Sequence, residues 1–206
     1  MNTNKTEIRD DSSIVWQESS VLPKDRAEVL KQRPVTLWLT GLSGAGKSTL
    51  AFALERQLID TGYACFVLDG DNVRHGLNRD LGFSAEQRTE NIRRVAEVAR
   101  LMNQAGLIVI SAFISPYRED REKAKAIIGE DAFIELYVST SIAICEQRDT
   151  KGLYQRARAG EIANFTGISA PYDPPEHTVL SIDTNQCSRE DALAQLMQIL
   201  KPYLSK

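Results

Sequence analysis

The chain has 206 residues, 42% of them hydrophobic, and is long enough to bury one sizeable core in a single α/β domain. Its formal net charge of -3 and pI near 5.5 give no global attraction to a polyanion, which argues against nucleic acid or a membrane surface as main partner. Three widely spaced cysteines without metal-ligand spacing argue against a disulfide scaffold or a zinc site. No apolar run approaches the roughly 20 residues that span a bilayer, and we expect a cytoplasmic protein.

Two regions differ in composition. Residues 1–33 are polar with little periodicity, so we expect a loosely held N-terminal extension before a domain that covers residues 34–206. In that domain short apolar runs alternate with helical patterns. The runs predicted as strands are 35–40, 64–68, 107–112, 133–138 and 179–182, and the helical patterns are 48–60, 84–104, 118–128 and 142–148. Apolar strands separated by helices predict a parallel five-stranded sheet with helices on both faces.

A glycine-rich loop joins the first predicted strand to the first predicted helix. Its sequence, Gly41-Leu42-Ser43-Gly44-Ala45-Gly46-Lys47-Ser48, fits the phosphate-binding pattern G-x-x-x-x-G-K-[ST]. Glycines allow successive backbone N–H groups to face phosphate oxygens, and the helix presents its positive end to the same anion. We expect Lys47 to reach the β- and γ-phosphates of ATP and Ser48 to bind Mg²⁺. The loop alone fits a kinase, an ATPase or a GTPase, although the chain lacks the Asn-Lys-x-Asp signature that reads guanine.

Two carboxylates follow the second predicted strand, in Asp69-Gly70-Asp71-Asn72, and Arg74 comes soon after. Ligands of an open parallel sheet bind beyond the carboxyl ends of its strands, so these groups are expected to face the phosphate loop. Asp69 is then placed to hold the metal, and Asp71 to orient or deprotonate an acceptor hydroxyl. The alternative is a capped turn of Asp, Gly and Asn without a catalytic role.

The long central helix is predicted to begin at Ser84, which forms a capping box with Gln87. Arg88 and Asn91 share a face near its start and are not needed for the core stripe. Basic residues concentrate around positions 74–94 and again around 148–158, either as two walls of a pocket for a small anion or as solvated helix faces.

The third predicted strand ends in Ile114-Ser115-Pro116. A proline favours extended backbone in the residue before it, so we expect Ser115 to be extended and exposed at the sheet edge, facing the cleft. At that edge Ser115 either binds the acceptor or carries phosphate transiently. Neither His75 nor His177 is near it in sequence to activate the hydroxyl.

Residues 148–168 combine basic side chains with glycines. This composition suits a mobile lid that closes over the nucleotide and excludes water from the transfer. Phe165 on such a lid is placed to stack on a base. The alternative is a solvated surface helix.

Together these residues resemble the adenylyl-sulfate kinases (APS kinases) of sulfate assimilation, which have a P-loop kinase fold. The resemblance covers residues 34 to about 172, and other P-loop kinases share only its first motif. The motifs are Gly41-Leu42-Ser43-Gly44-Ala45-Gly46-Lys47-Ser48-Thr49, Asp69-Gly70-Asp71-Asn72-Val73-Arg74-His75-Gly76-Leu77, Asn91-Ile92-Arg93-Arg94, Phe113-Ile114-Ser115-Pro116, Lys151-Gly152-Leu153-Tyr154 and Asn164-Phe165-Thr166-Gly167-Ile168. Thr150 departs from the proline or apolar residue expected before Lys151.

The resemblance implies transfer of the γ-phosphate of ATP, with Mg²⁺, to the ribose 3′-hydroxyl of adenylyl sulfate, usually by a homodimer. It implies Lys47, Asp71 and Ser115 as catalytic residues, with Ser115 as a phosphoserine intermediate. The expected nucleotide contacts are Gly41, Leu42, Ser43, Gly44, Ala45, Gly46, Lys47, Ser48, Thr49 and Arg148, and the expected metal contacts are Ser48 and Asp69. The expected acceptor contacts are Asp71, Arg74, Phe83, Arg88, Asn91, Ile114, Ser115, Pro116, Lys151, Leu153 and Phe165.

Two other functions stay open at this point. One is a P-loop kinase for another small alcohol, such as a nucleoside or a sugar acid. A neutral acceptor does not call for the anion donors Arg74, Arg88 and Asn91, which favour an anionic one. The other is a non-catalytic nucleotide sensor, against which the intact Lys47 and the two carboxylates argue.

Overall fold

The computed structural model describes residues 14–15 and 17–205. In this part of the chain one sheet contains five parallel strands, in the spatial order β2-β3-β1-β4-β5. The strands are β1 (Val35–Thr40), β2 (Cys65–Asp69), β3 (Ile108–Ala112), β4 (Phe133–Val138) and β5 (Leu180–Ile182). The predicted five-stranded parallel sheet is confirmed, with strand bounds that differ by one residue at most.

The described residues form seven α-helices. They are α1 (Pro23–Leu30), α2 (Lys47–Asp60), α3 (Ala85–Gln104), α4 (Arg118–Ile128), α5 (Ile142–Arg148), α6 (Leu153–Arg158) and α7 (Arg189–Leu200). The capping box of Ser84 and Gln87 is present at the start of α3, as predicted. Sequence analysis did not predict α1 or α7. None of the helices in the described ranges is both long and apolar enough to cross a bilayer.

The core has two parts, one on each face of the sheet. On one face α2 and α7 bury leucines such as Leu54, Leu58 and Leu196 against the strands. On the other face α3 and α4 pack around Trp38, with Val95 among the buried residues. Helices therefore cover both faces, as the apolar strands predict.

The segment before β1 is tied to the sheet by Gln32, which is 1% exposed. Its Nε2 donates to the carbonyl oxygens of Ala64 and Gly106, both at 2.8 Å, and its Oε1 accepts from the Ala64 N–H at 2.8 Å. Gln32 also forms an antiparallel bridge with Leu204. The expected extension thus contains a helix and a buried anchor, while residues 1–13 and 16 of it lie outside the described residues. The boundary at residue 34 stays a prediction.

Candidate active site

The glycine-rich loop lies at the carboxyl edge of the sheet, between β1 and α2. A Cβ atom on Gly41 would come within 2.4 Å of the Val138 carbonyl oxygen, so no larger residue fits. Gly46, at the start of α2, has φ 104, a backbone conformation that favours glycine. These constraints give the loop the tight turn that a phosphate-binding loop needs.

Lys47 is 8% exposed and lies within the loop. Its ammonium donates to the carbonyl oxygens of Gly41 at 2.9 Å and of Leu42 at 2.7 Å. Burial lowers the pKa of Lys47 to about 8, although neighbours including Asp69 and Asp71 favour the charged form. No carboxylate among the described residues forms an ion pair with the Lys47 ammonium, which is a cation held within the loop.

Ser48 and Asp69 meet across the loop. The Ser48 hydroxyl donates to Asp69 Oδ2 at 2.6 Å, and Asp69 is 6% exposed. Asp69 Oδ1 accepts from the backbone N–H groups of Asp71 at 3.0 Å and Asn72 at 3.3 Å. A hydroxyl and a carboxylate are oxygen donors of the kind Mg²⁺ prefers. The described residues hold no group of three or more metal-ligating acids, histidines or cysteines, but Mg²⁺ with a nucleotide needs only one or two carboxylates.

Asp71 lies close to this pair and is exposed. Its Oδ2 forms an ion pair with the ammonium of Lys151, and the two side chains are 65% and 56% exposed. The contact joins the loop after β2 to the segment between α5 and α6. One end of the expected lid therefore reaches the carboxylate that is expected to act on the acceptor.

Two arginines flank the Phe83 ring. The guanidinium carbon of Arg74 lies 4.4 Å from the ring centroid and that of Arg88 lies 5.8 Å away. Burial lowers the pKa of both guanidinium groups, and the charge of Arg88 further lowers the pKa of Arg74. The Phe83 side chain is 60% exposed. Its flat apolar ring is therefore accessible, and it lies beside two cations.

Arg88 also binds the lid. Its Nη1 donates to the Thr166 hydroxyl at 2.8 Å and its Nη2 to the Asn164 carbonyl oxygen at 2.6 Å. Arg88 and Lys151 thus hold the lid segment at two points.

Asn91 differs from the expectation that it is not needed for the core, because it is 4% exposed. Its Oδ1 accepts from Nδ2 of Asn78, at 3.0 Å. Asn91 lies three residues after Arg88 on α3, so the two side chains still share a face.

The expectation that Ser115 is extended and exposed is wrong. Ser115 has φ 37 and is 2% exposed, and its hydroxyl oxygen accepts from the Trp38 indole N–H at 3.1 Å. Its carbonyl oxygen accepts from Arg121 at 2.8 Å, and these bonds hold a backbone conformation that costs about 1–3 kcal/mol. The rule for residues before proline misses this because distant partners fix the turn.

The remaining expected acceptor residues lie in two places. Ile114 is half-buried and Pro116 is buried in the turn around Ser115. Leu153 packs at the start of α6, and Phe165 is 8% exposed with its ring edge-on to Tyr154 at 5.0 Å. Phe165 belongs to the core, so any stacking on a base would use a small part of its surface.

Sequence reasoning missed the threonines that brace the phosphate loop. Thr184 donates to the Ala45 carbonyl oxygen at 2.8 Å, and Thr140 reaches the same oxygen at 3.2 Å. Arg148 donates to the Thr184 hydroxyl at 2.8 Å and to the Gly44 carbonyl oxygen at 3.3 Å. Thr140 and Thr184 follow β4 and β5. Because ligands of a parallel sheet bind beyond the carboxyl ends of its strands, this position could have identified both threonines from the sequence.

Tyr154 braces the loop from the lid side. Its hydroxyl donates to the Ser43 carbonyl oxygen at 2.9 Å, while its ring contacts Phe165. Burial raises the pKa of the Tyr154 hydroxyl, so it stays a donor at neutral pH. The loop geometry is thus coupled to the lid.

Comparisons with known proteins identify the family of the chain. The family model for adenylylsulphate kinase matches residues 33–183. The chain belongs to the adenylyl-sulfate kinase family. It is 58% identical over 189 residues to the adenylyl-sulfate kinase of Shewanella pealeana, and the aligned residues cover 92% of this chain and 91% of the Shewanella protein.

Solved structures give the same result. The APS kinase CysC of Mycobacterium tuberculosis, in complex with AMPPNP and APS, is 44% identical, with a TM-score of 0.79 over 82% of this chain and 99% of that one. A hexameric APS kinase from Thiobacillus denitrificans is 34% identical, with a TM-score of 0.63 over 83% of this chain and 29% of that one. The P-loop kinase fold expected from the sequence is therefore confirmed.

Proposed function

We propose that the protein transfers the γ-phosphate of ATP to the ribose 3′-hydroxyl of adenylyl sulfate, giving ADP and 3′-phosphoadenylyl sulfate. The observation that carries the proposal is the group formed by Arg74, Phe83 and Arg88 close to a phosphate-binding loop. Adenylyl sulfate combines a flat base with a phosphate and a sulfate, which matches an exposed ring flanked by two cations.

The donor side binds ATP through the loop. Backbone N–H groups of residues 41–48 and the start of α2 face the phosphates, and Thr49 follows them in the helix. Lys47 leaves its two carbonyl partners and pairs with the β- and γ-phosphates, because an anion is the stronger partner for an ammonium. Arg148, which already holds Gly44, lies beside the nucleotide.

Ser48 and Asp69 would hold Mg²⁺, which supplies charge neutralisation at the phosphates when it is bound. Asp71 orients the acceptor hydroxyl and accepts its proton once Lys151 turns from the carboxylate to the acceptor anion.

We propose direct in-line transfer, without a phosphoserine at Ser115. The buried hydroxyl is engaged by Trp38, and no described base contacts it. Ser115→Ala should therefore retain turnover within about tenfold, because it removes a positioning bond of roughly 1 kcal/mol and no covalent step. Loss of turnover by orders of magnitude, together with a phosphorylated Ser115 in the trapped wild type, would support the covalent role.

The central experiment is an ADP-release assay with purified protein, ATP, Mg²⁺ and adenylyl sulfate, with the product identified by mass spectrometry. We expect a phosphorylated adenylyl sulfate. Phosphorylation of a nucleoside or a sugar acid instead would assign the protein to the rival kinases. ATP binding without transfer to any acceptor would identify a nucleotide sensor.

Two variants test the residue roles in the same assay. Lys47→Ala and Asp71→Asn should each lower kcat by about 10²–10⁴-fold, while circular dichroism shows a retained fold. Glu176→Gln, an exposed carboxylate paired with Arg118, serves as the matched control and should keep wild-type turnover. Wild-type turnover in Asp71→Asn refutes the base assignment.

We further propose a cytoplasmic homodimer. All three cysteines are free, which is usual in a reducing compartment, and the family resemblance implies the dimer. Light scattering coupled to size-exclusion chromatography tests the oligomeric state, and a monomer at micromolar concentration would refute it.

A further inference from the structure

A buried pair of asparagines connects the segment after β2 to α3. Asn78 has no exposed surface, and its Nδ2 donates to Asn91 Oδ1 at 3.0 Å. Asn78 Oδ1 is one of two buried side-chain atoms in the described residues that lack a hydrogen-bond partner. An unsatisfied buried polar atom is destabilising, and a leucine of similar size would avoid it. The side chain of Asn78 is therefore better explained by what its Nδ2 does for Asn91 than by packing.

Each asparagine is close in sequence to one of the two arginines that flank Phe83. The backbone N–H of Asn78 donates to the Val73 carbonyl oxygen at 2.9 Å, and Arg74 follows Val73 directly. On the other side, Asn91 lies one helical turn after Arg88 on α3. The contact between the amides thus connects the backbone next to one arginine to the helix that carries the other.

We propose that Asn78 is a positioning residue for acceptor binding, which fixes the orientation of the Asn91 amide. A primary amide has an acceptor oxygen on one side and a donor nitrogen on the other. With Oδ1 bound by Asn78, Asn91 Nδ2 has no partner among the described residues and is left to donate to an anion. A turned amide would present its oxygen instead and repel that anion. The inference rests on the proposed function and on the contact between Asn91 and adenylyl sulfate that the family resemblance implies.

The test compares KM values for the two substrates. Asn78→Leu should raise the KM for adenylyl sulfate about tenfold or more, the effect of losing a hydrogen bond to a charged group, and change the KM for ATP less than about twofold. A second variant, Asn91→Leu, should raise the acceptor KM by at least as much. In the double variant Asn78→Leu/Asn91→Leu the acceptor KM should equal that of Asn91→Leu alone, because Asn78 acts through Asn91.

Asn103→Leu is the matched control. Asn103 is another buried asparagine of α3, 6% exposed and bonded to Thr36 and Leu107 at the amino ends of β1 and β3, opposite the edge that carries the phosphate loop. Its loss should lower the melting temperature and leave both KM values unchanged. If Asn78→Leu does not fold, as judged by circular dichroism, the smaller Asn78→Ser takes its place with the same expected KM values.

Three results overturn the inference. They are an unchanged acceptor KM in Asn78→Leu, an equal rise in both KM values, and additive effects in the double variant. If the wild-type protein does not phosphorylate adenylyl sulfate, the proposed function itself is wrong. That outcome differs from a failure that is confined to the Asn78 variants.

Discussion

The low pKa of Lys47 predicts that ATP binding takes up a proton. Burial holds this pKa at about 8 in the free protein, against an ordinary value of 10.5. At about 1.4 kcal/mol per pKa unit, the difference corresponds to about 3 kcal/mol against the charged form. Bound phosphates favour the ammonium and restore a high pKa, so Lys47 gains a proton on binding whenever the free protein has lost it.

The affinity for ATP should fall as the pH rises above the pKa of Lys47. At about pH 7 and below the lysine is almost fully charged in both states, and almost no proton is taken up. Uptake is about half a proton at pH 8 and approaches one proton near pH 9, where the Kd for ATP should rise nearly tenfold per pH unit. The terminal phosphate loses its last proton well below this range and does not contribute.

Isothermal titration calorimetry at pH 9, in buffers of different ionisation enthalpy, measures the uptake directly. Lys47→Arg is the matched control, because arginine stays charged throughout and the other nearby groups, Asp69, Asp71, Cys145 and Lys151, are unchanged. Its Kd should not follow the steep rise. A wild-type Kd that is flat from pH 8 to 10, or zero uptake at pH 9, would refute the reasoning. Without ATP, the contribution of Lys47 to the free energy of unfolding should rise over the same range, because this lysine then binds more protons in the unfolded chain, while the raised thiol pKa values of Cys65 and Cys145 act in the opposite direction.

Three other predictions concern the scaffold, the loop and the acceptor pocket. Arg121→Ala should lower the free energy of unfolding in urea by about 3–5 kcal/mol, because Glu135 loses a partner that is 2% exposed, whereas the half-exposed Arg93→Ala should cost under about 1 kcal/mol. Thr184→Val should raise the KM for ATP about fivefold and leave the acceptor KM unchanged, because it removes one hydrogen bond of about 1 kcal/mol to the Ala45 carbonyl oxygen. Equal rises in both KM values would contradict a role confined to the loop. Phe83→Ala should weaken acceptor binding by about 1–3 kcal/mol at near wild-type melting temperature, because the ring is 60% exposed. The buried Phe165→Ala should instead lose about 3–5 kcal/mol of stability, and an unchanged acceptor Kd in Phe83→Ala would remove that ring from the site.

The sheet could be predicted because each of its strands is marked by residues that are contiguous in the sequence. Each strand is a short apolar run, and the parallel arrangement follows from the helices between the strands. The phosphate loop and the capping box at Ser84 are also contiguous motifs, and the structure contains both. The helix α1 was missed because it buries no residue of its own and carries a weak apolar pattern.

The parts that could not be predicted depend on contacts between distant residues. Ser115 was expected to be exposed, but Trp38 and Arg121, 77 and 6 residues away, hold it inside the protein. Thr184 braces a carbonyl 139 residues earlier. No local pattern marks such partners, because each is an ordinary residue until the strands bring it to the same edge.

The antiparallel bridge between Gln32 and Leu204 has a consequence for protein engineering. The Arg33 N–H donates to the Tyr203 carbonyl oxygen at 2.8 Å, and the Ser205 N–H donates to that of Lys31 at 3.3 Å, so residues 31–33 and 203–205 run side by side. A short glycine-rich linker from Ser205 to Lys31 could join them in a variant that omits residues 1–30, including α1, and new chain ends could be opened at Gly129, where nothing lies within 4 Å of an added Cβ. Such a circular permutant should fold and keep its catalytic edge, because both changes lie away from the phosphate loop.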